Sequence, residues 1–304
     1  MAAILWICGL LLATLAWADG RAVPHHRQRG EGVRRLHNVT LDSNFTVGSA
    51  SGELLLDGCQ VDHFEASLFE LLGQTGSLTL HGGHIPRVTY ASPSLDTIVV
   101  DATGLEEFDV DPTLVPLTSL RTLQISRNSL ARISPRIGLL VGLRRLDLSQ
   151  NRLTHVELDP FAGMPRLRDL DLSVNRILWV GVTTPGTRLP SVHNLWVSYN
   201  RLRTFDDFPE ALPALVSVRL IGNSWNCAWV DRARSDIMRR GITAFGADYD
   251  CPGERQGGLC CDVTNVGDVT GAQSSPESVV ELQVATNRTG ASVGVRYGDV
   301  EIFL

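Results

Sequence analysis

The chain has 304 residues, enough for one elongated array or about two ordinary domains. Its 27 basic and 33 acidic side chains leave a net charge of −6. No basic block interleaves with aromatics, which argues against a nucleic-acid partner and against a polybasic membrane anchor.

Ile4 to Leu15 form a short apolar run, and Ala16-Trp17-Ala18 follows as a small-x-small site before Asp19. The run is shorter than the ~18 apolar residues that mark a spanning helix, so residues 1–18 read as a signal peptide. No later run reaches that length, and the mature chain is expected to be secreted. Asp19 to Gly32 is polar and basic and reads as a disordered mature N-terminus. The segment 19–50 also carries Leu36, Val39, Leu41 and Asn44, an imperfect copy of the pattern described next. Leu41 precedes the next equivalent leucine, Leu56, by only 15 residues, so this segment is expected to be an extra strand capping the first core layer.

Residues 51–224 repeat a single pattern. The irregular copies come first: Leu54, Leu56, Cys59, Val61; then Leu78, Leu80, Gly83, Ile85; then Ile98, Val100, Thr103, Leu105. Five regular copies follow. They are Leu120, Leu123, Ile125, Asn128, Leu130; Leu143, Leu146, Leu148, Asn151, Leu153; Leu167, Leu170, Leu172, Asn175, Ile177; Val192, Leu195, Val197, Asn200, Leu202; and Leu215, Val218, Leu220, Asn223. The regular starts step by 23, 24, 25 and 23 residues. L-x-x-L-x-L-x-x-N-x-L at that period is the leucine-rich repeat, one short strand per repeat. Leu-x-Leu points two apolar side chains to one face of the strand, and the Asn amide can satisfy turn backbone groups that no sheet reaches. A single repeat cannot bury its own face, so about eight repeats must stack. The expected fold is an α/β solenoid, a leucine-rich repeat horseshoe with a parallel concave sheet. Phe69 and Phe161, in the return segments, are expected to pack the convex side.

Residues 225–262 close the array. Trp225-Asn-Cys227-Ala-Trp229 stands directly after the last Asn, and Trp229, Val230, Ala233 and Ile237 fall at helical spacing with Gly241 placed to end the helix. Cys227, Cys251, Cys260 and Cys261 make this a disulfide-stapled C-terminal cap. A bond between the adjacent Cys260 and Cys261 is strained. That leaves Cys227 with Cys251, or Cys227 and Cys251 each with one of the adjacent pair; the first option frees a thiol for a partner. With Cys59, the mature chain has five cysteines, an odd number that implies a free thiol or an intermolecular bridge. Residues 263–304 show no sustained heptad and so no coiled coil; Val293, Val295 and Tyr297 alternate, leaving a short hairpin or disorder open. The sequons at Asn38, Asn44 and Asn287 are candidate glycosylation sites.

No phosphate loop, zinc-type histidine pair or C-x-x-C motif is present, so neither an enzyme nor a cofactor or metal site is expected. What the array offers is a surface. Side chains alternate along each strand, so the residues between the leucines face outward in columns. One column is Gln124, Asp147, Asp171, Trp196, Arg219; its neighbour is Thr122, Arg145, Asp169, Asn194, Ser217; a third runs Ser126, Ser149, Ser173, Ser198, Ile221, flanked by Arg127, Gln150 and Tyr199. Asp147, Asp169, Asp171, Trp196, Tyr199 and Arg219 are the candidate partner-binding residues, because aromatics beside charges are the usual composition of a protein-binding hot spot. The alternative is that they are ordinary solvated strand residues.

The apolar leader, the irregular-to-regular repeats, Trp225-Asn-Cys227-Ala-Trp229, Tyr249-Asp-Cys251-Pro and the double cysteine Cys260-Cys261 together resemble the leucine-rich repeat immune proteins of mosquitoes, over roughly residues 1 to 262. Members of that family usually continue into a coiled coil, so this chain is similar to its coil-less subgroup. The resemblance implies a role in haemolymph innate immunity, with a complement-like thioester protein or a microbial surface as partner. It also implies Cys260 or Cys261 as the interchain bridge of a disulfide-linked dimer, against an internal cap disulfide for both. The expected function is therefore a secreted, non-enzymatic recognition or scaffold factor. An extracellular adhesion or developmental ligand-binding protein is the second expectation.

Overall fold

A computed structural model describes residues 34–37, 52–73, 75–113, 117–263, 295–297 and 300–302. The leader 1–18 and the sequons at Asn38, Asn44 and Asn287 lie outside the described residues. The chain divides into two units, Met1–Val266 and Gly267–Leu304.

In the first unit, ten strands form one all-parallel sheet. They are β1 (Arg34–His37), β2 (Glu53–Asp57), β3 (Ser77–His81), β4 (Thr97–Asp101), β5 (Thr122–Ser126), β6 (Arg145–Asp147), β7 (Asp169–Asp171), β8 (Asn194–Trp196), β9 (Ser217–Arg219) and β10 (Thr243–Ala244). Each strand is one coil's share of the sheet. The repeat leucines stack without offset: Leu54, Leu78, Ile98, Leu123, Leu146, Leu170, Leu195 and Val218 are register partners in turn, each at most 1% exposed. This single core is why no coil could persist alone.

The first coil departs from the expected frame. Leu36, not Leu41, is the register partner of Leu56, so the step is 20 residues and β1 extends the sheet at its first edge. That equals the step from Leu80 to Val100, which also pair. Leu36 is half-buried and packs on the core.

The turn after each strand explains the Asn. Its amide reaches back one coil: Asn151 Nδ2 donates to the Ile125 carbonyl at 2.7 Å, and Asn151 Oδ1 accepts from Leu130 N at 3.1 Å. Asn128, Asn175, Asn200 and Asn223 repeat the scheme. The residue just before the ladder position is left-handed in the eight coils from β2 to β9: Gly58, Gly82, Ala102, Arg127, Gln150, Val174, Tyr199 and Gly222, with φ between 53° and 71°. Where Gly83 replaces the Asn, a Cβ would stand 2.0 Å from the Cys59 carbonyl oxygen. The neighbouring backbone fills the space that the amide occupies elsewhere.

The return segments hold short elements: a helix at Ala66–Leu71, strands Arg87–Tyr90 and Glu107–Val110 paired with each other, a 3-10 turn at Pro135–Leu139, strands His155–Glu157 and Trp179–Gly181 paired with each other, and a helical turn at Asp159–Ala162. Phe69 and Phe161 are buried there, and Phe69 meets Phe64 and Tyr90 edge-on.

Beyond Asn223, the helix Cys227–Arg240 covers the last core layer. The Asn226 side chain caps its start by accepting from Trp229 N at 3.1 Å, and Gly241, at φ 66°, ends it. Trp225 and Trp229 stack at 4.1 Å, and their indole N–H groups donate to Leu220 and Phe205 carbonyls. Cys227 is bonded to Cys261, and Cys251 to Cys260. Cys59 belongs to neither bond and is buried, 1% exposed, in a ladder position. The odd count is thus answered inside the core, and neither adjacent cysteine is left as a thiol for an interchain bridge. In the second unit, Val295–Tyr297 and Val300–Ile302 pair as an antiparallel hairpin.

Candidate functional site

The parallel register sets the expected columns side by side as rows across the sheet. Gln124, Asp147, Asp171, Trp196 and Arg219 are successive register partners, as are Thr122, Arg145, Asp169, Asn194 and Ser217. Neighbouring strands lie about 4.8 Å apart, so Trp196 stands between a carboxylate and a guanidinium within reach of both.

The carboxylates are held, not loose. Asp147 Oδ1 accepts from Ser149 N at 2.9 Å, and Asp171 Oδ1 accepts from Ser173 N at 2.8 Å and Ser173 Oγ at 2.5 Å. The third column's serines therefore orient the first column's acids, leaving each Oδ2 without a hydrogen bond among the described residues. Burial pushes the Asp171 carboxyl above its usual range; the Ser173 hydrogen bonds and the charge of Arg145 oppose this, and the charge of Asp147 adds to it. Arg145 and Arg219 make no ion pair among the described residues.

Asp169 is a partial exception. Its Oδ1 accepts from Asn194 Nδ2 at 2.6 Å, and Asn194 in turn accepts from the Ser217 hydroxyl. This chain spans three coils and stiffens the wall. Tyr199 lies on the turn after β8, 37% exposed, with its ring over Gly222: a Cβ there would sit 2.5 Å from the ring. The glycine thus fixes where the ring lies.

One cluster escaped the sequence reading. Asp101, in β4, accepts from Arg127 Nε at 2.8 Å and Ser126 Oγ at 3.1 Å, pairs with a second guanidinium nitrogen of Arg127, and meets His81 Nδ1 at 3.0 Å. Burial would raise this carboxyl, but Arg127, through its hydrogen bonds and its charge, prevails with Ser126 and His81 and holds it below the usual range. The four residues are contributed by three coils, and no local motif announces them. Among the described residues, no cluster of three or more His, Cys, Asp or Glu could hold a metal ion, and no helix is long and apolar enough to cross a membrane.

A parallel sheet of leucine-stacked coils carrying an Asn ladder, with a capped end and an ordered polar face, defines a leucine-rich repeat solenoid. The "Leucine rich repeat" family model matches residues 118–177. Human Podocan-like protein 1 is 45% identical over 71 residues, 23% of this chain and 13% of that protein. Mouse Nephrocan is 26% identical over 187 residues, 46% of this chain and 36% of that protein. The U2 small nuclear ribonucleoprotein A' of Arabidopsis thaliana is 35% identical over 105 residues, 33% of this chain and 41% of that protein. The chain thus spans less than half the length of these curated relatives. Among solved structures, the APL1 leucine-rich repeat domain is 20% identical with a TM-score of 0.49, covering 69% of this chain and 65% of that one. The LRIM1/APL1C complex is 18% identical with a TM-score of 0.47, covering 69% and 45%. A leucine-rich repeat solenoid presents an extended surface suited to protein–protein interaction.

Proposed function

We propose that this chain is a secreted, non-enzymatic binding protein whose concave wall takes a protein partner, serving as an innate immune recognition or scaffold factor. The observation that carries the reading is the row Asp147, Asp171, Trp196, Arg219 beside Tyr199: aromatics and unpaired charges, side by side, on a wall whose side chains are already ordered. A pre-ordered face loses little rotamer entropy on binding, and flat aromatics with adjacent charge are what strong contacts use. The two cap disulfides and the leader sequence support an oxidising, extracellular setting. A complement-like thioester protein or a microbial surface is the partner class this reading favours; adhesion to another extracellular protein is the alternative.

The test is capture of a purified thioester protein, and of washed microbial cells, by immobilised full-length chain. Trp196→Ala with Asp171→Ala should weaken the productive interaction at least about tenfold, as expected for removal of a hot-spot pair. Trp179→Ala, on the opposite side of the solenoid, should not. Equal capture by all three proteins would reject the concave wall as the binding face.

A further inference from the structure

A second surface lies on the edge of the solenoid, where the chain enters each strand. Asp96, Arg121, Arg144, Arg168 and His193 each stand one residue before β4, β5, β6, β7 and β8. The backbone ties them into a row: Arg121 N donates to Asp96 O, Arg144 N to Arg121 O, Arg168 N to Arg144 O and His193 N to Arg168 O, each at 2.8 Å. Charges in this row therefore recur once per coil, about 4.8 Å apart.

Arg121 is paired with Asp96 at 3.2 Å. Arg144, Arg166 and Arg168 are exposed, and among the described residues none makes an ion pair or a side-chain hydrogen bond. They line an open cleft of about 450 Å³ with Pro165, Pro190, Ser191 and His193, and no carboxylate is among its walls. The cleft is pre-ordered. Ser191 Oγ donates to Pro165 O at 2.6 Å, and His193 Nδ1 meets Ser191 O at 2.6 Å. A carbonyl can only accept, so Nδ1 carries the proton and Nε2 is the remaining ring nitrogen.

Three uncompensated cations in one groove are unexpected in a chain of net charge −6. All 27 basic residues of the chain are arginine, the side chain whose fork matches sulfate and phosphate oxygens two at a time. We infer that this edge binds a linear sulfated polysaccharide. The repeat of charge along the row suits a polymer with anions at intervals, while an open groove lacks the enclosure that a single small anion needs. Nucleic acid would bring bases as well as phosphates, and the cleft has no aromatic on which a base could stack. This edge site is separate from the concave wall, and its test does not depend on the wall's partner.

The experiment titrates full-length protein with a fluorescently labelled, size-defined heparin oligosaccharide at physiological salt. Arg144→Gln, Arg166→Gln and Arg168→Gln together should weaken binding at least about tenfold and flatten its salt dependence, because released counterions scale with the charges engaged. Arg201→Gln with Arg203→Gln, exposed arginines beyond the strands, should leave it unchanged. Unchanged binding by the triple variant, displacement by inorganic phosphate at an equal concentration of anionic groups, or tighter binding of single-stranded RNA would each overturn the assignment. A wild-type affinity that does not fall as salt rises from about 50 to 200 mM would overturn it too, whatever the folding of the variants.

Discussion

Replacing Asn151 with alanine tests whether the ladder amides hold the coils together. Asn151 is 7% exposed and bonds to the backbone of two coils: Ile125 O and the neighbouring Leu148 and Ser149 carbonyls accept from its two N–H bonds, and Leu130 N donates to its oxygen. The alanine variant loses these bonds and strands a Leu130 N–H where water has no access. A stranded buried donor costs about 1–3 kcal/mol and each of the two lost N–H bonds about 1 kcal/mol, so the total is at least about 3 kcal/mol. Asn175 makes the same set of bonds, with Leu153 N as the donor, but is half-buried. Water can replace its amide, so Asn175→Ala should cost only about 1 kcal/mol. In urea unfolding followed by far-UV circular dichroism, the two should separate by a fraction of a molar in midpoint with unchanged slope, since slopes for chains of this size are about 3 kcal/mol/M or more. Equal losses at the two sites would refute the argument, because burial is the only difference that it uses.

Asp171 has a folded-state carboxyl pKa raised by burial, so its contribution is fully present below the ordinary value of 3.8 and is lost as pH rises through the raised folded value. Asp171→Asn should therefore gain stability relative to wild type between pH 3 and pH 7; a difference independent of pH, read by thermal melts across that range, would contradict the assigned cause. The cap pairing predicts that purified protein starting at Asp19 migrates as a single chain on both reducing and non-reducing gels, and that its one remaining thiol, Cys59, reacts with iodoacetamide only after unfolding. A reducible dimer would place a cap cysteine in another chain.

How much of this could be read from residues alone depends on where the physics is local. From Leu120 to Asn223 the strand leucines and the ladder amide recur at the same place in every coil, so the spacing carries the fold and the rows of outward side chains follow by alternation. At the ends, the deciding contacts come from elsewhere. Leu36 and Leu41 are both plausible strand leucines, and only pairing with Leu56 selects the first. The strand Thr243–Ala244 is two residues long and has no period to detect. The Asp101 cluster and the basic edge draw on coils 20 to 26 residues apart, and each contributing residue is ordinary by itself.

The adjacent cysteines show the same point most sharply. Cys260 and Cys261 lie on the strand Leu259–Asp262, which pairs on one side with Trp225–Asn226 and on the other with Glu254–Gln256. Along a strand, consecutive side chains point to opposite faces. Cys261 is thereby turned inward, buried at 4% exposure, and bonds Cys227 at the start of the cap helix; Cys260 faces the other way and bonds Cys251. Composition counts these four residues as three equivalent pairings, and the strand makes one of them the natural result. The two bonds close loops of 34 and 9 residues, so the chain-entropy argument assigns about 4 kcal/mol to the first and about 2.5 kcal/mol to the second. A covalent dimer through either adjacent cysteine would first have to give up one of these contributions, which makes association through non-covalent surfaces the cheaper route for this chain.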